Sequence, residues 1–258
     1  MYKVMLHKNG KIVSPYQDME YKVGEWVEVN IDMDKKKDCA AGLYATDVDG
    51  LPYAWRNLSD YAVYEVEVAG RSVEYDQFKR RYEKMRLVRE VSKEEVKELA
   101  LAWEDKVGYK LCEVLFPVNP FDIEAGEVTE EVLDLLKEWA SVGSSVWASV
   151  RDSVRDSVRD SVWDSVRDSV WNSVRDSVWN SVWASVRASV WDSVGSSVRA
   201  YISSLFPHIK KWKYIDHEEG KNPFQSSIDL WHMGFVPSYD GNKWRLHTKN
   251  GIVWEGKP

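Results

Sequence analysis

SVGSSVWASVRDSVRDSVRDSVWDSVRDSVWNSVRDSVWNSVWASVRASVWDSVGSSVRA, residues 141–200, decides how this chain is organised, because four residues recur there fifteen times without an insertion or deletion. Ser holds the first place from Ser141 to Ser197 and Val the second from Val142 to Val198. The third place carries six Trp, seven Arg and two Gly, and the fourth carries Asp, Asn, Ala or Ser. Two columns are fixed and two are permissive. Trp, Arg and Gly interconvert through the first base of an NGG codon, so the third column fits drift within a twelve-nucleotide tandem repeat.

Two architectures follow from the period. On an α-helix four residues advance the chain by about 400°, so the Val stripe drifts about 40° per repeat. A steep right-handed helix pair follows that drift, since Ser every fourth residue permits close crossings and Asp152 to Arg155 is a favourable i, i+3 pair. Such a helix needs a second chain to cover its valines. Against it stands composition: sixty residues contain no Glu, Lys, Gln or Leu, most of the strong helix formers. A narrow β-solenoid is the reading favoured here. Each tetrad then makes one short side, with Val inward, a small residue at the corner, and Trp147, Trp163 and Trp179 stacked in one outer column.

The rest divides around this rod. The expected class is α+β: an N-terminal module over residues 1–116, a linker and capping helix over 117–140, the repeat over 141–200, and an aromatic module over 201–258. Lys8-Asn9-Gly10 between the runs Tyr2–His7 and Lys11–Val13 predicts a β-hairpin. Strands are expected at Trp26–Ile31, at Tyr61–Val68, where Tyr64, Val66 and Val68 alternate with Glu65 and Glu67, and at Met85–Val91. Ser92-Lys93-Glu94-Glu95 is a capping box that opens a helix toward Val107. Phe116-Pro117-Val118-Asn119-Pro120-Phe121 breaks the helix, and Thr129 caps another over Glu130–Ala140. A second hairpin is expected at Lys249-Asn250-Gly251, between Trp244–His247 and Ile252–Trp254.

Fourteen Trp in 258 residues is unusual, and many of the aromatics cluster after Tyr201. They fit either a core or a recognition face; Trp231, Tyr239 and Trp244 are the binding candidates. Lys210-Lys211-Trp212-Lys213-Tyr214 reads as a helix end or rod cap rather than a nucleic-acid patch. The net charge of −7 also argues against a dedicated nucleic-acid binder. Five His form no metal-ligand spacing, and no nucleophile elbow, P-loop or dinucleotide fingerprint occurs, so no metal or cofactor is expected. Cys39 and Cys112 read as free thiols of a reducing compartment. With no apolar run approaching a membrane span and no secretory pattern at Met1–Val13, a cytoplasmic location is expected.

Gly42-Leu43-Tyr44-Ala45-Thr46, Tyr53-Ala54-Trp55 and Ala62–Val68 resemble a domain that recurs in phage-encoded proteins, often ahead of short-repeat tracts. They resemble, more distantly, the central strands of ADP-ribosyltransferase-like domains. That resemblance implies NAD as cofactor, Tyr44 stacked on nicotinamide, His7 on ribose, and Glu83 stabilising an oxocarbenium-like transition state. Three functions are therefore expected as alternatives: a phage or prophage interaction scaffold whose rigid repeat separates two end modules, acting through a protein partner or self-association; a transferase; or membrane-surface association through the Trp/Arg face. The first is the leading reading.

Overall fold

The computed structural model describes residues 1–15, 17–37, 40–51, 61–74, 80–143, 147–161, 174 and 191–258. They fall into two compact units, Met1–Val107 and Gly108–Pro258, and both helices and strands contribute.

In the first unit, β1 (Tyr2–Lys8) turns through Asn9 and Gly10 into β2 (Lys11–Val13). Both turn residues have positive φ, 53° and 74°, the backbone that Asn-Gly supplies and a twisted two-residue hairpin requires. β3 (Glu20–Tyr21), β4 (Trp26–Glu28), β5 (Leu43–Ala45), β6 (Tyr61–Glu74) and β7 (Arg80–Val91) complete a seven-stranded sheet. Its order is β3-β2-β1-β6-β7-β4, with β5 also on β7. Just after β5, Thr46 exchanges two backbone hydrogen bonds with Tyr2, at 2.7 and 2.9 Å. One segment thus bridges β7 and β1 and brings the sheet close to a closed barrel. Met5, Tyr21, Leu43, Ala45, Tyr64, Val66, Met85 and Leu87 fill its interior. β6 and β7 run past the expected strand limits into a long two-stranded ribbon bent by bulges.

The capping box closes reciprocally. The Ser92 N–H donates to Glu95 Oε2 at 2.9 Å and the Glu95 N–H to Ser92 Oγ at 3.1 Å, which starts α1 (Lys93–Val107). Those bonds and the Arg89 guanidinium hold the Glu95 carboxyl down at about 2, the Arg89 bond first. Val96 and Ala100 are fully buried on α1, which packs against the 3₁₀ turn Val48–Gly50.

The second unit contains α2 (Leu111–Leu115), α3 (Glu130–Gly143), α4 (Trp147–Ser161), α5 (Trp191–Ser204) and α6 (Gln225–His232). An antiparallel sheet follows, formed by β8 (Val236–Tyr239), β9 (Trp244–Thr248) and β10 (Gly251–Gly256) in the order β10-β9-β8. The second Asn-Gly hairpin joins β9 to β10, with Thr248 opposite Gly251.

The repeat corrects the favoured solenoid. Wherever its course is described, α4 and α5, it is α-helix. Nor is it a straight rod: α4 and α5 pack on each other, whereas one uninterrupted helix would hold Ser161 and Trp191 about 45 Å apart. Val150, Val154, Val158, Val174, Val194 and Val198 are all buried inside this one chain, so these six valines need no second copy to cover them. Ser153, Ser157, Ser196 and Ser197 are buried beside them. Small hydroxyl residues let the backbones approach, and each valine so covered contributes about 1.5–2 kcal/mol. That packing overrides weak intrinsic helix propensity. Arg151, Arg155 and Arg159 lie outside, and the anticipated Asp152–Arg155 pair is present at 3.3 Å. The apolar stripe of α4 therefore faces the protein, and its solvent face carries Arg151, Arg155 and Arg159.

Candidate functional site

Of the aromatic candidates, Trp231 and Trp244 are buried, Trp244 at 5% exposure, and Tyr239 is half-buried. Trp231 is fully buried: its ring stacks on Tyr201 at 5.1 Å and 9°, and its Nε1–H donates to the Val118 carbonyl at 2.9 Å. The Val118 N–H in turn donates to Tyr201 Oη at 2.8 Å. The aromatic pair thus satisfies both backbone groups of a residue between two prolines, where no helix or sheet partner is offered.

Tyr239 and Trp244 instead come together. Opposite each other across the β8–β9 turn, their rings lie 5.1 Å apart at 32°. The turn is fixed by Asp240, whose Oδ1 accepts from the N–H groups of Asn242 and Lys243 at 3.0 Å each, with Gly241 at φ +93°. Those backbone donors, Lys243 first, hold the Asp240 carboxyl at about 2. Arg245 spans Asp240 at 2.6 Å and Glu255 at 3.2 Å, and Lys243 also meets Glu255. A cleft of about 470 Å³ opens beside this hairpin, lined by Tyr239, Asn242, Trp244 and Lys257 and, across from them, by Ala140 and Ser141 at the end of α3. The acids beside it are neutralised, whereas exposed Lys257 pairs with no carboxylate among the described residues. The cleft offers an aromatic wall, an amide, a hydroxyl and one cation.

The transferase candidates lie in the first unit in different settings. Glu83 is bound by Arg71 through Nε at 2.9 Å, Nη2 at 2.6 Å and the backbone N–H at 3.0 Å. It anchors the bulge at Gly70, φ +77°, where an added Cβ would sit 2.6 Å from Glu83 Oε2. Both carboxylate oxygens are thereby engaged, and Arg71 holds the acid below its usual range. The Tyr44 hydroxyl donates to the Ala40 carbonyl at 2.8 Å, and buried Lys3 donates to the Tyr44 carbonyl at 2.7 Å. His7 belongs to another cluster, with Tyr64 and Glu90, the last of which no local motif marks. Trp163, Trp179 and Cys39 lie outside the described residues, as does the side chain of Trp147; Cys112 is half-buried.

Among the described residues no helix is long and apolar enough to cross a membrane, and no group of three His, Cys, Asp or Glu is arranged for a metal ion. Comparison with protein families, characterised proteins and solved structures gives no match for this chain.

Proposed function

We propose that this is a non-enzymatic interaction protein that takes hold of a protein partner through the cleft beside Tyr239 and Trp244. The observation that carries the reading is that cleft: half-buried Tyr239, backed by the buried ring of Trp244, beside Lys257, which pairs with no carboxylate among the described residues. Its size, about 470 Å³, suits two or three side chains of an extended segment. Aromatic rings supply contact area at small entropic cost, Asn242 and Ser141 can bond a peptide backbone, and Lys257 favours an acidic residue next to an apolar one. The repeat contributes stiffness to the unit that carries the cleft. The resemblance to phage-encoded proteins agrees with action in the cytoplasm of an infected or lysogenic cell.

Selection of a displayed random-peptide library on the immobilised full chain tests this. Enriched peptides should pair an acidic with an apolar residue and should lose binding to a Tyr239→Ala, Lys257→Glu double variant. Absence of enrichment, or equal binding by the variant, rejects the reading.

A further inference from the structure

We propose that His7, Tyr64 and Glu90 form a binding site for a divalent first-row cation of the zinc class. The three side chains come from three neighbouring strands, β1, β6 and β7: Tyr64 is paired in register with Glu90 and with Lys3, and His7 lies beyond Lys3 along the same face of β1. Tyr64 Oη lies 2.9 Å from His7 Nε2 and 2.8 Å from Glu90 Oε2, and these last two atoms are 3.6 Å apart. A triangle of those sides has a point about 2.1 Å from every corner, about 1 Å off its plane, matching zinc–nitrogen and zinc–oxygen bond lengths. At that point the three atoms subtend about 87°, 84° and 118°, a compressed face that shifts of a few tenths of an ångström would open toward a tetrahedral shell completed by water. The side chains of His7 and Glu90 are 45% and 52% exposed, so an ion can enter from solvent.

Charge gives a second, independent indication. β6 and β7 carry five carboxylates, and four of them are matched to an arginine: Glu65 to Arg89, Glu67 to Arg86, Glu74 to Arg80 and Glu83 to Arg71. Glu90 is the exception. Among the described residues it meets no Lys or Arg, only a phenol and an imidazole, two groups that ligate first-row metals. Lys3, in register with Tyr64, turns its ammonium to the Tyr44 carbonyl.

The protons can be followed. The Tyr64 hydroxyl donates to Glu90, so the hydrogen bond from His7 uses its Nε2–H. Binding moves that proton to Nδ1, frees Nε2 for the ion, and releases the phenol proton to solvent as Tyr64 becomes a phenolate ligand. Metal uptake is therefore coupled to pH.

Titration of the full chain with zinc chloride in a calorimeter tests the site, repeated in buffers of different ionisation enthalpy to count released protons. The expected result is one Zn²⁺ per chain, a tyrosinate difference signal in the near ultraviolet, and binding weakened at least about tenfold by His7→Ala and by Glu90→Gln. Both substitutions are at half-exposed positions, and unchanged far-ultraviolet circular dichroism checks the fold. Tyr64→Phe should remove the tyrosinate signal. No zinc uptake by the parent chain, or equal affinity in both the His7→Ala and Glu90→Gln variants, overturns the proposal.

Discussion

His247 shows what one buried residue imposes. It sits on β9 beneath the sheet surface, 4% exposed, with Nε2 2.7 Å from Ser238 Oγ. Burial, with a smaller contribution from Arg245, pushes its pKa from 6.5 down to about 4. The folded chain therefore keeps the imidazole neutral, while the unfolded chain takes up a proton below pH 6.5. Stability from this residue is complete above pH 6.5, falls as the pH drops toward 4, and levels off below. The loss is on the order of 3 kcal/mol across that window. Urea unfolding at a series of pH values should show this slope, and His247→Gln should flatten it. Judged by distance alone, Ser238 and His247 would pass for a catalytic pair; their burial makes them a structural one. The sequence marks them only as alternate positions of aromatic strands, since the bond that joins them depends on which strands meet.

At the scale of elements, the fixed Ser and Val columns are buried where described along α4, together with Asp156 of the fourth column, and the permissive third column is exposed there. Val154→Ala should lower stability by about 2 kcal/mol, for lost burial and the space left behind. Arg151→Trp should change it by less than about 0.5 kcal/mol, although it removes an ion pair with Asp152 at 3.1 Å, because exposed pairs contribute little. Thermal melts of the two variants compare the columns directly. Elements with local determinants are legible in the residues themselves: both Asn-Gly hairpins, the capping box at Ser92, the helix after Thr129. The fate of the repeat is not. Ser, Val, Trp and Asp are poor helix formers, and only contact between distant tetrads makes helix the better state. For the same reason the sequence groups Trp231, Tyr239 and Trp244 as equals; aromatic composition does not reveal that Trp231 and Trp244 are buried while Tyr239 is half-exposed. Glu90 is invisible in the sequence because its partners are 26 and 83 residues away.

For the whole molecule, the division at Val107 implies two folding equilibria rather than one. Of the fourteen Trp, only Trp26, Trp55 and Trp103 precede that point, so tryptophan fluorescence reports mainly on the second unit. Fluorescence and far-ultraviolet dichroism should give non-coincident urea transitions, and acidification from pH 6.5 to 4 should move the fluorescence transition more. Coincident curves at every pH would mean that the units unfold as one.

Lys213 and Tyr214 bear on a difficulty that any perfect repeat creates. The Lys213 N–H donates to Ser157 Oγ at 3.0 Å, its ammonium meets Asp160, and the Tyr214 hydroxyl donates to Asp156 at 3.0 Å. One tetrad earlier, Ser153, Asp156 and Asp152 offer the same three groups in the same order. Sliding α4 by about 6 Å would thus exchange each contact for its copy at almost no energetic difference. Within Ser149–Asp160, where the tetrad SVRD occurs three times unchanged, nothing tells one copy from another. The correct alignment must be read from outside it, by how far the unrepeated flanking segments can reach, so the chain's singular parts act as a vernier for its periodic one.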